Sequence, residues 1–139
     1  MNIAFFLLPK QDVVYVDLQT TLRQILEKME HHRYTAVPVL NEDGTYAGTV
    51  TEGDLLWYFK STGFKFENAH KLPLSDVPMR VKHKPVRIDA NMEELIELSK
   101  QQNFVPVIDD MDKFIGIVRR SDIIEYCVQQ LFGQLKAAQ

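Results

Sequence analysis

The spacing of apolar residues predicts a helix in the first part of the chain. A short β-rich run at 13–16 precedes it, and Thr21 and Gln24 then have the spacing of a capping box. We therefore expect the helix to begin after Thr21. Its apolar stripe follows the i, i+3, i+4, i+7 pattern of a helix with one buried face, formed by Leu22, Ile25, Leu26 and Met29.

A hairpin and a second helix are expected next. Two β-rich runs lie at 34–40 and 46–50, and the turn residues at 41–44 between them predict a hairpin. Helical spacing returns near Glu52 and continues to a break at Gly63.

The second half of the chain repeats this order. A strand is expected at 85–88, and Asn91 and Glu94 have capping-box spacing before the next helix. A second hairpin is predicted from the runs at 104–108 and 114–118. The last helix is expected to fray from Gly133 onward, after an apolar series of Ile123, Ile124, Cys127, Val128, Leu131 and Phe132.

The two halves are related by an internal repeat. Pro38 and Pro106, Gly48 and Gly116, and Asp54 and Asp122 are all separated by 68 positions. The predicted divisions are a first unit at 1–66, a solvated linker at 67–84 and a second unit with a tail at 85–139.

Each unit is predicted to have the order β-α-β-β-α. A unit of this size is too small to cover both faces of its own sheet. The prediction is an α+β fold in which the two repeats pack through their sheets with pseudo-two-fold symmetry. Clefts between such units are favoured places for small ligands.

Composition narrows the functional classes. The chain has 139 residues, a net charge of −3 and a single cysteine, so neither nucleic-acid binding nor an internal disulfide is expected. The apolar run at 3–8 is too short to span a bilayer and has no preceding basic residue. We expect a cytoplasmic protein with no membrane association.

No catalytic or metal site is predicted. His31 and His32 are neighbours on a helix and point about 100° apart, so they do not face one metal ion together. Cys127 lies on an apolar helical face and is expected to be a small core residue.

The repeated segments resemble a known family. The strands "TAVPVL" and "FVPVID", and the endings "GTVTEGD" and "GIVRRSD", resemble tandem CBS domains, the pair called a Bateman module, here a stand-alone pair. The first ending matches the family pattern in full. The second has Arg119 where Ser or Thr is usual.

This resemblance implies a ligand that contains adenosine: AMP, ADP, ATP, S-adenosylmethionine or cyclic di-AMP. In the family the motif aspartate binds ribose hydroxyls, the Ser or Thr reaches ribose or phosphate, and the proline-containing strand reads adenine. Carried over here, the first site comprises Tyr34, Thr35, Ala36, Pro38, Thr51 and Asp54. The second comprises Asn103, Phe104, Val105, Pro106 and Asp122, with Arg119 and Arg120 as candidates for binding phosphate.

Two alternatives stay open at this level. Thr51 and Asp54 have the arrangement of a helix cap, which needs no ligand. Arg119 and Arg120 are equally consistent with a solvated surface, and the Arg119 replacement either substitutes for the usual Ser or Thr or abolishes the second site.

The run at 55–59 is more apolar than one buried stripe requires. The resemblance implies dimerisation through helices, so a homodimer that includes Trp57, Tyr58 and Phe59 is predicted.

The expected function is a non-enzymatic regulatory module that binds an adenine nucleotide and signals to an unidentified protein in trans. The alternative is a constitutive dimeric scaffold with no ligand. Catalysis with Asp54 as a base is disfavoured.

Overall fold

The computed structural model describes residues 2–80 and 82–138 and contains seven strands and four α-helices in those ranges. The strands are β1 (Leu7–Pro9), β2 (Val16–Asp17), β3 (Ala36–Leu40), β4 (Tyr46–Thr51), β5 (Val86–Arg87), β6 (Phe104–Ile108) and β7 (Phe114–Arg119). The helices are α1 (Leu22–His32), α2 (Glu52–Thr62), α3 (Met92–Ser99) and α4 (Arg120–Ala138).

The repeated β-α-β-β-α order is confirmed. The first repeat forms a sheet ordered β2-β3-β4, and the second contributes β5, β6 and β7 to a sheet ordered β1-β7-β6-β5. In each repeat the short first strand pairs in parallel with the next, which forms an antiparallel hairpin with the third. The mixed α+β architecture with two packed repeats is therefore as predicted.

Local sequence explains the helix ends. Thr21 and Gln24 form the expected capping box at the start of α1, and Thr51 and Asp54 form another at the start of α2. Gly63 ends α2 in the left-handed conformation with φ of 70°, where glycine carries no Cβ penalty. The fraying expected from Gly133 onward is wrong, because α4 continues to Ala138.

The N-terminal segment crosses from the first repeat to the second. Strand β1 pairs antiparallel with β7, and Leu7 is opposite Val118. Ile3 is fully buried in the core of the second repeat, and the rings of Phe6 and Tyr126 meet edge to face at 5.6 Å. The first unit is thus not self-contained, because its N-terminal segment adds a strand to the sheet of the second repeat.

The segment at 67–84 makes the reciprocal crossing. Ala69, Leu74 and Val77 are buried in the core of the first repeat. The backbone N–H of Leu22 donates to the carbonyl of Leu72 at 2.9 Å, and two further backbone bonds join this segment to the entrance of α1. The expectation of a solvated loop is wrong, because apolar side chains of the segment cover the helices of the first repeat.

The pseudo-two-fold axis is visible in residues that contact their own counterparts. Positions 35 and 103, 45 and 113, and 46 and 114 are each separated by 68 residues, and each pair is in contact. Such self-contacts occur close to a two-fold axis. Between the repeats the sheets bury a shared core formed by Ala36, Leu40, Phe104, Phe114 and Ile117.

Candidate functional site

A cleft of about 390 Å³ opens between the two repeats. Its volume lies within the range of small-molecule sites. One wall comes from the start of β3 and the segment before it, and the opposite wall comes from the junction of β7 with α4. The N-terminal segment closes one side. The lining residues are Leu8, Asp12, Val13, Val14, Arg33, Tyr34, Thr35, Ala36, Pro38, Asn103, Phe104, Ile117, Arg119, Arg120 and Ser121.

Eight of the predicted site residues line this one cleft, and they come from both repeats. They are Tyr34, Thr35, Ala36, Pro38, Asn103, Phe104, Arg119 and Arg120. The prediction had divided them between two sites, one for the motif of each repeat. The structure instead brings the adenine wall of the first repeat against the motif end of the second, because the sheets pack face to face across the axis. Binding of a ligand by these residues stays a prediction.

The remaining predicted residues do not line the cleft. Val105 and Pro106 are buried in β6, Thr51 and Asp54 are at the start of α2, and Asp122 lies in the first turn of α4.

A polar contact joins the two cleft walls. The side-chain amide of Asn103 donates to the hydroxyl of Thr35 at 2.9 Å. Both side chains are solvent-exposed at this point, so their hydrogen-bonding groups can be reached from the cleft. Tyr34 lies beside them with its ring stacked on His32 at 5.3 Å, and 45% of its surface is exposed.

Asp54 holds structure together rather than facing the cleft. It is 3% exposed. One carboxylate oxygen accepts from the backbone N–H of Thr51 and the other accepts from the backbone N–H of Arg80, both at 2.9 Å. The Thr51 hydroxyl in turn accepts from the N–H of Asp54 at 3.1 Å. The capping arrangement that the sequence left open is the one seen, and it also anchors the segment that connects the repeats.

Asp122, at the same motif position of the second repeat, lies at the surface. The Nε–H of Arg119 donates to its carboxylate at 2.9 Å, and the Asp122 side chain is 29% exposed. Arg119 is therefore paired with the aspartate that the resemblance assigns to ribose.

The pseudo-two-fold axis relates the open cleft to a second position between the repeats. The connecting segment at 67–84 lies across that second position. His83 is 7% exposed and its ring stacks near Phe104 at 6.2 Å. The side chain of Gln102 accepts from the backbone N–H of Lys84 at 2.8 Å and donates to its carbonyl at 3.1 Å. Thr49, which lies 68 positions before the cleft residue Ile117, is almost fully buried on this side.

Tyr46, in the first repeat, forms a hydrogen bond to the same connecting segment. Its hydroxyl donates to the carbonyl of His83 at 3.1 Å and lies 2.6 Å from the hydroxyl of Thr49. Burial raises the pKa of Tyr46 to about 12, although the hydrogen bond to Thr49 opposes this effect. The phenol is therefore neutral at physiological pH and acts as a donor.

Several lining residues were missed by sequence reasoning. Arg33 ends α1 in the left-handed conformation with φ of 60°, and Ser121 follows the two arginines of the motif. Asp12 and Val13 come from the N-terminal segment. For Arg33, its positive charge was a signal in the sequence that it could bind a ligand. No local sequence pattern indicates the crossing of the N-terminal segment that brings Asp12 and Val13 to the cleft.

The absence of a metal site and of a reactive cysteine stays a prediction. Within the described ranges no cluster of three His, Cys, Asp or Glu side chains has the geometry of a metal site. His31 and His32 are exposed, and Cys127 is half-buried. In the same ranges no helix has the length and apolarity needed to cross a bilayer.

Comparison with known proteins identifies relatives over most of the chain. The family model described as "CBS domain" matches twice, at residues 7–61 and 74–129. A CBS domain-containing protein of Dictyostelium discoideum is 28% identical over 138 residues, covering 94% of this chain and 95% of that protein. The second family match begins inside the segment at 67–84, which agrees with the packing of that segment as part of the fold.

Solved structures share the fold at lower identity. The CbpB protein of Listeria monocytogenes, solved in complex with cyclic di-AMP, has a TM-score of 0.80 at 22% identity and covers 94% of this chain and 97% of its own. The CBSX2 protein, solved in complex with AMP, has a TM-score of 0.72 at 24% identity and covers 92% and 96%. At these identities the likeness is one of fold.

Proposed function

The chain belongs to the CBS-domain family, and from that premise we propose that it is a non-enzymatic regulatory module that binds an adenine nucleotide between its repeats. CBS-domain pairs are in general regulatory modules without catalytic activity. The candidate ligands are AMP, ADP, ATP and cyclic di-AMP. Two of the structural neighbours support this class, since they were solved with cyclic di-AMP and with AMP.

The observation that carries the proposal is the composition of the open cleft. Tyr34 and Thr35 come from the first repeat and Asn103 from the second, and all three expose groups that suit a purine ring and its edge. A ligand seated there touches both repeats at once. Binding therefore favours one relative arrangement of the repeats, provided that the ligand prefers it, and that population shift is the signal to a separate protein.

We propose one nucleotide per chain. The counterpart cleft is crossed by the connecting segment, whose residues Arg80, His83 and Lys84 are bonded to both repeats. Native mass spectrometry with added nucleotide is expected to show a single ligand for each chain.

The test is thermal unfolding with and without nucleotide. A binder gains stability as ligand concentration exceeds the dissociation constant, by about 2.7 kcal/mol at a hundredfold excess. UMP keeps the ribose phosphate and lacks the purine, so it is the matched control for the base and is expected to stabilise the protein less than AMP. The alternative, a constitutive scaffold, predicts no change in melting temperature with any adenine nucleotide.

A variant pair locates the site. Tyr34→Ala is expected to weaken binding because it removes a ring at the cleft. Tyr15→Ala removes a tyrosine of similar exposure, 37% against 45%, that is not among the cleft-lining residues, and is expected to leave binding unchanged. Equal affinities in the two variants would place the ligand elsewhere.

We also propose that the module is a homodimer formed through its helices. The predicted run divides in two, because Phe59 is buried in the core and Tyr58 packs against it, whereas Leu56 and Trp57 are exposed. Helix α4 adds an exposed stripe at helical spacing, formed by Ile124, Val128, Leu131, Phe132 and Leu135. A stripe of this width is expected to be covered by another surface.

Sedimentation velocity tests this assembly. Phe132→Glu is expected to give monomers, and Met111→Glu, which changes an exposed apolar residue in a hairpin turn, is the control expected to leave dimers intact. A stable monomer of the unaltered protein would overturn the dimer and leave nucleotide binding to be judged separately.

A further inference from the structure

The charged groups around the open cleft are mostly guanidinium groups. Arg33, Arg119 and Arg120 line it, and Asp12 is the one acidic residue among the lining residues that the structure describes. We propose that the cleft recognises its nucleotide chiefly by phosphate charge rather than by the ribose hydroxyls, and that Arg119 is the residue that sets this preference. The inference rests on the proposed function.

Neither motif aspartate lines this cleft. Asp54 is buried, and both of its carboxylate oxygens accept backbone N–H groups. Asp122 is not a lining residue, and one of its oxygens accepts from Arg119. Both carboxylate oxygens of Asp54 are therefore occupied, and one oxygen of Asp122 is paired with Arg119.

Arg119 replaces an acceptor with a donor at a decisive position. Its counterpart in the first repeat, 68 positions earlier, is Thr51, whose hydroxyl accepts a hydrogen bond at the start of α2. A guanidinium has no acceptor, so it neither caps the helix in that way nor accepts from a ribose hydroxyl. Only its Nε–H is used by Asp122, and the Arg119 side chain is 54% exposed, so its terminal N–H groups remain available to an anion.

The other two arginines surround the same space from different elements. The Nε–H of Arg120 donates to the carbonyl of Gln102 at 3.0 Å, which fixes the start of its guanidinium beside the cleft. Arg33 approaches from the end of α1 in the first repeat. Guanidinium groups bind phosphate through paired, charge-assisted hydrogen bonds. The start of α4, where Ser121 lines the cleft, adds the electropositive end of a long helix.

The first experiment is calorimetric titration of the full chain with adenosine, AMP, ADP and ATP at low salt. AMP is expected to bind roughly tenfold or more tightly than adenosine, because each charge-assisted hydrogen bond to phosphate contributes about that factor. Raising the salt concentration is expected to weaken AMP binding and to leave adenosine binding nearly unchanged. Equal affinity for adenosine and AMP, or equal salt dependence, would overturn the inference while the proposed function stands.

The second experiment uses Arg119→Thr, which installs the residue that the first repeat has at this position. The ratio of AMP to adenosine affinity is expected to fall toward one. Arg119→Lys keeps the charge but loses the paired donors, so an intermediate ratio is expected. Arg23→Thr removes an arginine that is paired with Glu27 on α1 and does not line the cleft, and it is the control with an unchanged ratio.

Failures of the two proposals are distinguishable. An unchanged ratio in Arg119→Thr, with both ligands still bound, would remove Arg119 as the determinant and leave nucleotide binding intact. Absence of binding by every adenine compound would overturn the proposed function and this inference with it. If Arg119→Thr fails to fold, the affinity ratio in Arg119→Lys still tests the role of Arg119, and the salt dependence of the unaltered protein still tests recognition of the phosphate.

Discussion

Asp54 and Asp122 occupy the same position of the repeated motif, and the structure gives them different surroundings. Asp54 is buried and binds the backbone at Thr51 and Arg80, whereas Asp122 is at the surface and pairs with Arg119. The difference follows from what lies beside each motif. The connecting segment passes over the first, and an open cleft adjoins the second. A repeated sequence motif thus does not imply two equivalent sites.

The two repeats also differ in how their entry segments cross. Gly116 in β7 lies directly beneath the backbone of Leu8, whereas Gly48 in β4 faces the flexible end of the Met79 side chain. Both crossings are of the same kind, but only the one over Gly116 brings backbone against the glycine. The predictions below use this asymmetry, beginning with the largest expected effect.

Gly116→Ala should destabilise the protein far more than Gly48→Ala. Both glycines have nearly the same φ, 156° and 155°, so backbone strain is shared. A Cβ at Gly116 would overlap the carbonyl oxygen of Leu8, and a Cβ at Gly48 would lie 3.0 Å from the terminal carbon of Met79, which can move. We expect losses of about 3 and about 1 kcal/mol in the free energy of unfolding. Urea denaturation measures both, and equal losses would show that the crossings are equivalent.

Of the two motif aspartates, Asp54 should contribute more to the free energy of unfolding than Asp122. Asp54→Ala leaves two part-buried backbone N–H groups, of Thr51 and Arg80, without their acceptor and is expected to cost about 2 to 3 kcal/mol. Asp122→Ala breaks an exposed ion pair and is expected to change the free energy of unfolding by less than about 0.5 kcal/mol. Both values come from urea denaturation at neutral pH. A larger loss in Asp122→Ala would mean that the surface pair supports the fold after all.

Tyr46 and Phe114 form the counterpart pair on the axis, and only Tyr46 titrates. Its pKa is raised from the ordinary value of 10.0 to about 12 in the folded protein, so the unfolded chain loses this proton at lower pH. The resulting stabilisation is fully present below pH 10 and is lost as the pH rises toward 12.

Tyr46→Phe makes the pair symmetric. It removes the hydrogen bonds to Thr49 and His83, and it is expected to cost about 1 kcal/mol at neutral pH. Urea denaturation at a series of pH values between 9 and 12 is expected to show a shallower alkaline loss of stability than in the unaltered protein. An identical profile in the variant would show that other groups account for the alkaline loss.

The sequence by itself determined the elements of the two repeats and their order, but not strand β1. Helical period, strand runs and capping spacing predicted both β-α-β-β-α units, and the offset of 68 positions predicted their packing through the sheets. The capping box of Thr51 and Asp54 was also readable. These features are encoded in neighbouring residues, because a cap or an apolar stripe depends on side chains within a turn or two of one another.

The tertiary structure decided what covers each apolar face and which polar groups remain free. The pairing of β1 with β7, the burial of the segment at 67–84 and the bond from Arg80 to Asp54 all join residues that are distant in the chain. Periodicity shows that a face is apolar and does not show which distant segment lies on it. Non-local packing places the connecting segment over one cleft and leaves the other cleft open.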